Sequence, residues 1–568
     1  MQVMNFTRAN CKNCYKCVRT CSVKAIEVKD DQAQIVEERC VTCGHCLVVC
    51  PQNARNILSD IDNVKAALKS KRNVIAQIAP AFRGFFKDAP KIVTALYNLG
   101  FSYIEEVSIG AEMVSAEYEN IVESSYETEF LTSCCPSVVM LIEKYYPELL
   151  SKIIPVVSPM IAHGMSIKNR YKDPYVVFIG PCISKKCEAL SEDNAEIIDS
   201  VLTFDEIIKL LKSEDVDYNT LPNSEVTYGG TSRGDKYPVV GGILTAISPT
   251  LKGRHLDLIR IHGMENCKEV LEELKKGSLK NVCIELSACN ESCLGGPGGS
   301  TSGDSIYNRI QRLQKYLTND KSDKHTLISP LKLPLNRTFT NKRISFHIPQ
   351  EEEIIQILNK MGKYEKEDEL NCGACGYNTC YEKAIAVSQG MSQTEMCVPY
   401  MRSMAERTTN EIFNHSPNII LILDKALNIK EINPIGEKLF NMTKDELLGT
   451  PINSLIADND FQLVVKSCES MIKNKIYYSN YNYHAYRSII YMEKQAALLV
   501  IYTDITAEEK RKFELSKLKH NAVDVTQSII DKQMRVAQEI ASLLGETTAE
   551  TKVALMKLKK VLQEENEV

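Results

Sequence analysis

NVCIELSACNESCLGGPGGS, residues 281–300, joins a strand-like run to a pair of thiols. The apolar residues Val282, Cys283, Ile284 and Leu286 read as a buried strand. The run ends in Cys289, and Cys293 follows beside a glycine-rich turn, where bare backbone lets a bulky inorganic group come close. Taken alone, the two thiols are as compatible with packing as with metal. Two other loops repeat the arrangement. Cys134-Cys135-Pro136 in FLTSCCPSVV and Cys182 in FIGPCISKKCEA each follow an apolar strand-like run. Such loops can converge their thiols on one point, where open α/β sheets place their ligands.

Cys135, Cys182, Cys289 and Cys293 suffice to hold one 4Fe-4S cluster. TSCCP, PCxSKK with Glu188, and the CxxxC with trailing glycines resemble the three active-site motifs of the iron-only (FeFe) hydrogenases, and the resemblance runs from Ala76 to Ser302. It implies an H-cluster, in which a cubane on the four cysteines is bridged by Cys293 to a diiron unit carrying carbon monoxide and cyanide. It implies Cys134 as proton donor to the diiron bridge. Lys185 and the Pro80-Ala81 turn match the groups that hydrogen-bond the cyanides, and Glu188 matches a supporting carboxylate. Hydrogen, protons and the maturases that deliver the diiron unit are the partners such a site implies.

With 568 residues the chain is too long for one core and is expected to form three to five domains. Its 44% hydrophobic and 25% charged residues are ordinary for a soluble globular protein. A net charge of −5 argues against a nucleic-acid partner, which would leave a basic footprint. No apolar run approaches the roughly 20 residues of a membrane span, and no export leader is evident, so no membrane association and a cytoplasmic location are expected. The 21 cysteines cluster in CxxC patterns, which points to metal in a reducing compartment rather than to disulfides.

Residues 1–57 carry CxxCxxCxxxC twice and resemble the bacterial two-cluster ferredoxin. In such a repeat the fourth cysteine of each run ligates the other cluster. Cys11, Cys14, Cys17 and Cys50 are therefore assigned to one 4Fe-4S cluster, and Cys40, Cys43, Cys46 and Cys21 to the other. Structural zinc is the alternative.

Residues 71–320 alternate apolar strands with amphipathic helices, the pattern of a mainly parallel α/β sheet. The family's two methionines beside the cluster motifs are replaced by Ser287 and Gly180. The relay glutamates of the resemblance fall at Tyr118 and Ile121, and its relay serine at Ile154, none of which can do a carboxylate's work at neutral pH. Glu117, Glu119 and Glu123 offer a different route or a merely solvated helix face. Slow turnover is expected, because positioned proton transfer contributes a factor of about 100 to 10,000.

Asn319–Arg343 reads as a linker, and IPQEEEIIQILNKMGKY as one capped helix. Residues 346–402 contain Cys372, Cys375, Cys380 and Cys397, which resemble a small domain holding one further 4Fe-4S cluster, with a zinc knuckle as the alternative. Residues 408–508 resemble an α+β PAS sensory domain, with Asn433 after the second strand and Asp504-Ile505-Thr506 at its exit. Residues 509–568 read as helical, an output or dimerisation segment. Val523, Ile530, Ala537 and Leu544 repeat every seven residues with Met534 and Ala541 between them, and Gly545 breaks the run. A coiled-coil homodimer and a helix packed on its own domain both fit. Cys187, Cys267, Cys283 and Cys468 fit no cluster pattern and are expected to be buried thiols.

The expectation is thus a multidomain protein with a ferredoxin-like α+β domain, an α/β hydrogenase core, a four-cysteine domain, a PAS domain and C-terminal helices. Its function would be hydrogen sensing, signalled to a separate kinase or phosphatase. The alternatives are a metabolic hydrogenase exchanging electrons with ferredoxin, and a non-enzymatic iron-sulfur protein without the diiron unit.

Overall fold

The structure, a computed structural model, describes residues 3–7, 10–30, 32–70, 72–231, 233–319, 333–544 and 549–564. The chain divides into two compact units, Met1–Met401 and Arg402–Val568, with the break inside the helix Val398–His415.

Seven short strands build the core of the first unit. They are β1 (Val74–Ile78), β2 (Tyr103–Glu106), β3 (Glu129–Leu131), β4 (Tyr175–Gly180), β5 (Ser200–Thr203), β6 (Asp257–His262) and β7 (Val282–Ser287). One sheet runs β2-β1-β4-β5 and another β6-β7-β3, every pair parallel. Strands such as VIAQI and VCIEL are buried nearly throughout because helices cover both faces, which is why their apolar residues run on instead of alternating. The split into two sheets has no signature in the alternation of strands and helices.

Four helices frame the strand ends: α1 (Ser108–Ser124), α2 (Pro136–Tyr145), α3 (Pro159–Arg170) and α4 (Ser184–Ala189). Proline opens α2 and α3, where its missing N–H costs nothing. Helices α1 and α3 touch at Gly110, where a Cβ would lie 2.1 Å from the Pro159 carbonyl oxygen, so only glycine permits the contact.

The cysteine repeat at the N-terminus folds as a repeat. Strand Met4–Phe6 pairs antiparallel with Arg55–Ile57, and Ile26–Lys29 with Gln32–Ile35. Two short helices, Lys16–Thr20 and His45–Val48, each follow a left-handed residue, Tyr15 and Gly44, at the same place in each motif. Farther on, Glu351–Lys360 is the expected helix, with three glutamates in its first turn, and it packs on the helix Cys380–Ser388.

The expected linker is not a free connection over its described part. Residues 320–332 lie outside the described residues, but Asn336 bridges Val156, and the Arg337 N–H donates to the Pro155 carbonyl at 3.0 Å. A stretch rich in Lys, Pro and Asn reads as loop by composition, yet its backbone finds partners on the core.

In the second unit a five-stranded antiparallel sheet runs in the order Ile429–Ile432, Ile419–Leu423, Ala497–Asp504, Tyr483–Met492, Met471–Tyr478. Asn433 is fully buried. It accepts from the N–H groups of Ile420 and Gly436 and donates to the Asn418 and Phe413 carbonyls, so it locks the first strand to the following helix. Arg487, also fully buried, is paired with Asp458 and Asp460.

The helix Thr506–Leu544 follows. Val523, Ile530, Met534 and Ala537 are half-buried, whereas Leu515, Leu518, Val525, Ile529 and Val536 are exposed. The outward apolar stripe is therefore not the one read from the heptads. Gly545 lies outside the described residues, as do the side chains of Ala541 and Leu544. Among the described residues no helix is long and apolar enough to cross a membrane.

Candidate active site and cluster sites

The carboxyl ends of the parallel strands open into a cavity of about 120 Å³. Pro80 and Ala81 reach it from the turn after β1, Cys134 and Cys135 from the loop after β3, Cys182 from the loop after β4, Lys185 from the first turn of α4, and Cys289 and Cys293 from the turn after β7. Eight of the residues singled out in the sequence therefore line one space. Glu188 stands just behind it, fully buried, accepting from Lys185 Nζ at 2.6 Å.

Burial raises the thiols of Cys135 and Cys289, and pushes Cys293 up to about 12, in each case chiefly by desolvation and then by the neighbouring thiols of the same set. Cys293 has exposed surface, but it lines the cavity, and the dense surroundings decide its proton affinity. Thiols raised in this way by desolvation ionise only if cations join them, which is the chemistry of a thiolate-held metal group. Among the described residues no three His, Cys, Asp or Glu side chains stand close enough to hold a single metal ion. A zinc ion needs its sulfurs about 2.3 Å from one centre. Cys135, Cys182, Cys289 and Cys293 all line the hollow, a donor set of the kind that holds a 4Fe-4S cluster.

Cys134 has a partner that the sequence reading did not give it. Its Sγ lies 3.3 Å from the Tyr118 hydroxyl, which is 2.9 Å from Ser133 Oγ and accepts the Ser133 N–H at 2.8 Å. Ser133 Oγ donates in turn to the Val156 carbonyl at 2.8 Å, so the tyrosine proton goes to Ser133 and the thiol donates to the tyrosine oxygen. Burial pushes the Cys134 thiol up to about 12, so it holds its proton at neutral pH; Tyr118 and the Lys185 charge oppose this only in part. Tyr118 itself is raised well above an ordinary phenol by burial and by Cys134, as expected for a group that cannot replace a carboxylate.

The alternative acids lie elsewhere. Glu119, together with Glu112, grips Arg233 at 2.8 and 2.6 Å. Glu123 is exposed beside Thr250 at 3.4 Å, and Glu117 accepts from Asn120. The buried carboxylate that acts electrostatically on Cys134, besides Glu188, is Glu285 on β7. It accepts the N–H groups of Gly241 and Leu244, and burial raises it to about 7. Met160, Phe178 and Tyr237 also line the cavity, and no motif marks them. Gly180 leaves room for the Phe178 ring, which a Cβ would meet at 2.7 Å.

The other cysteine sets gather as well. Cys11, Cys14, Cys17 and Cys50 line one hollow. Cys43 is raised by desolvation and by Cys21, Cys46 and Cys40, so the fourth cysteine of each run lies with the opposite set. Cys43 also acts on Cys289, which puts this second set beside the large cavity. Cys372, Cys375, Cys380 and Cys397 line a third hollow. Its Cys375-Gly376-Tyr377 loop rests on the helix Lys16–Thr20, with Lys24 Nζ donating to the Gly376 carbonyl at 2.9 Å. Of the thiols expected to be buried packing residues, Cys267 and Cys283 are buried. Cys187 instead is half-buried on a small cavity with Cys40, and Cys468 is exposed at a helix end. A spacing rule says nothing about solvent, which is why these two differ.

Parts of the chain match known families. Residues 72–297 match the family model described as "Iron only hydrogenase large subunit, C-terminal domain", residues 10–54 match "4Fe-4S dicluster domain", and residues 368–399 match a model for an Fe-S cluster. Iron hydrogenase 1 of Clostridium pasteurianum is 28% identical over 50% of this chain and 58% of its own length. NADP-reducing hydrogenase subunit HndD of Solidesulfovibrio fructosivorans is 25% identical over 51% and 62%, so the chain spans about three-fifths of these two relatives. Protein NAR1 of Arabidopsis thaliana is 25% identical over 50% and 77%. Among solved structures, [FeFe]-hydrogenase HydA1 from Chlamydomonas reinhardtii aligns at 19% identity over 50% of this chain and all of that one, with a TM-score of 0.39. A PAS domain of an HTR-like protein from Haloarcula marismortui aligns over 18% of this chain and 99% of its own, at 19% identity and a TM-score of 0.15.

The core of the first unit is FeFe hydrogenase-like, and the chain is an iron-sulfur protein with 4Fe-4S domains. Its relatives include both hydrogenases and proteins named as cytosolic Fe-S cluster assembly factors.

Proposed function

We propose that this chain is a hydrogen-sensing FeFe hydrogenase, in which hydrogen is split or formed slowly at an H-cluster and the redox change is passed to a PAS domain. One observation carries this reading: Cys134, Lys185, Pro80 and Ala81 line the same cavity as the four thiols. A lone cubane needs neither a protonated thiol nor an ammonium group beside it. Cys135, Cys182, Cys289 and Cys293 would hold the cubane, with Cys293 shared with a diiron unit supplied by maturases. When bound, that unit supplies the metal chemistry that binds and cleaves dihydrogen.

The protein's own groups do the rest. Lys185 Nζ donates to Glu188 and, at 3.4 Å, to the Cys134 carbonyl, which leaves its third N–H for a ligand in the cavity. Cys134 holds a proton at Sγ and exchanges it toward the cavity. Apolar walls from Met160 and Phe178 keep water away from that exchange. Behind Cys134 stands a tyrosine in place of a carboxylate relay, which supports slow turnover suited to a sensor. Electrons would leave through the set of Cys40, Cys43, Cys46 and Cys21 toward the set of Cys11, Cys14, Cys17 and Cys50, open to a redox partner such as ferredoxin, and toward the four-cysteine domain. A redox state of that domain that interacts differently with two conformations of the PAS domain would bias it, and with it a separate kinase or phosphatase. The exposed stripe on Thr506–Leu544 favours a homodimer, and the cysteine usage a cytoplasmic site.

The rival reading, a non-enzymatic iron-sulfur protein, is favoured by the match to NAR1. Infrared spectroscopy after reconstitution with the diiron cofactor decides. Carbonyl and cyanide bands on iron, lost in Cys293→Ala, are expected; a protein that never shows them is not a hydrogenase.

A further inference from the structure

From residue 333 onward the expected linker forms a strap that reaches into the site. The Val157 N–H donates to the Leu335 carbonyl at 2.9 Å, and the next contact carries the argument. Arg337 Nη1 donates to Glu188 Oε1 at 3.0 Å. The other carboxylate oxygen, Oε2, accepts from Lys185 at 2.6 Å and from Ser158 Oγ at 3.0 Å. Glu188 is thus a buried anion divided between two cations, one facing the cavity and one belonging to the strap. A buried carboxylate with one cation removed leans on the other, because an unpaired charge away from water is costly.

The strap continues to the cysteine-rich domains. Lys342 Nζ meets Glu143 at 2.8 Å, and Phe346 stacks on Tyr145, with ring centroids 5.9 Å apart, while the Arg39 guanidinium lies 4.6 Å over the same ring. The His347 carbonyl then accepts from Gln389, which ends the helix that begins at Cys380. One run of backbone therefore links the carboxylate behind Lys185 to the four-cysteine domain.

We propose that Arg337 is a positioning residue: by holding Oε1 of Glu188 it limits how far Lys185 is drawn from the cavity, and the strap so couples the four-cysteine domain to the site. The coupling is reciprocal, since whatever displaces the strap alters Lys185 and whatever moves Lys185 loads the strap. This rests on the hydrogenase reading for the ligand that Lys185 meets, but not for the anchoring of the strap.

The test uses the full chain with its iron-sulfur clusters, with and without the diiron cofactor, as wild type, Arg337→Gln and Arg337→Lys. Without the cofactor, amide exchange across residues 333–343 should quicken at least about tenfold in Arg337→Gln and return toward wild type in Arg337→Lys. Unchanged exchange in the glutamine variant overturns the anchor. With the cofactor, the cyanide bands should shift in Arg337→Gln, the carbonyl bands less, and Arg337→Lys should restore them. Wild-type cyanide bands in a loaded Arg337→Gln protein overturn the positioning role alone. A wild-type protein that takes up no diiron unit overturns the hydrogenase reading and, with it, the role given to Lys185.

Discussion

Replacing Tyr118 by phenylalanine removes one oxygen from the centre of the Cys134 loop and leaves the ring, which is fully buried, to fill its space. The hydroxyl accepts the Ser133 N–H at 2.8 Å, stands 2.9 Å from Ser133 Oγ and 3.3 Å from Cys134 Sγ. Stranding that one buried N–H costs about 1–3 kcal/mol, and the lost hydroxyl contact adds about 1 kcal/mol. About 2–4 kcal/mol of local stability should go, which corresponds to amide exchange at Ser133 about 30- to 1,000-fold faster. Exchange read on peptides covering residues 129–136 measures this directly. Ser133→Ala and the double variant complete a cycle, in which a coupling of at least about 0.5 kcal/mol is expected for residues in contact. If Tyr118→Phe exchanges like the wild type, the hydroxyl does not hold this loop, and the account of how Cys134 is aimed fails.

Cys50→Ala should cost about four iron atoms per chain and leave the set of Cys40, Cys43, Cys46 and Cys21 loaded, whereas Cys21→Ala should spare the set of Cys11, Cys14, Cys17 and Cys50; iron analysis with paramagnetic resonance reads both, and loss of the wrong cluster refutes the crossed assignment. Glu285, raised to about 7 against an ordinary 4.5, stays protonated in the folded chain while the unfolded chain ionises, so its contribution is full below about pH 4.5 and falls by about 3 kcal/mol as pH rises to about 7. Glu285→Gln should flatten that part of the unfolding free energy against pH, and an unaltered slope would show that the carboxyl is not held neutral. Val525→Glu with Ile529→Glu, on the exposed stripe, should weaken self-association about a hundredfold or more in sedimentation; an unchanged dimer would move the interface elsewhere.

Much of the site was legible because thiols at fixed spacings after apolar runs have few other uses. The cysteine sets, Lys185 and the Pro80-Ala81 turn could be named from order alone, and strand ends of a parallel sheet are where such loops meet. Tyr118 reads in the sequence only as a missing carboxylate, because its side chain carries no motif. Arg337 is hidden in a stretch whose composition reads as loop, and no motif marks Met160, Phe178 or Tyr237. The outward stripe on the last long helix was displaced from the heptads read in the sequence because two apolar faces share that helix, and periodicity cannot say which of them is covered.

Sequence by itself determined the kinds of chemistry present, since ligand type and spacing are local and survive without a fold: thiolates in sets, a lysine and a carboxylate three residues apart, strands that must be buried. Only tertiary structure decided which of those groups share a charge. Glu188 lies between Lys185 and Arg337, far apart in the chain and joined only by burial. Removal from water makes each such pairing strong and obligatory, and burial is a property of the whole packed chain, not of any segment of it.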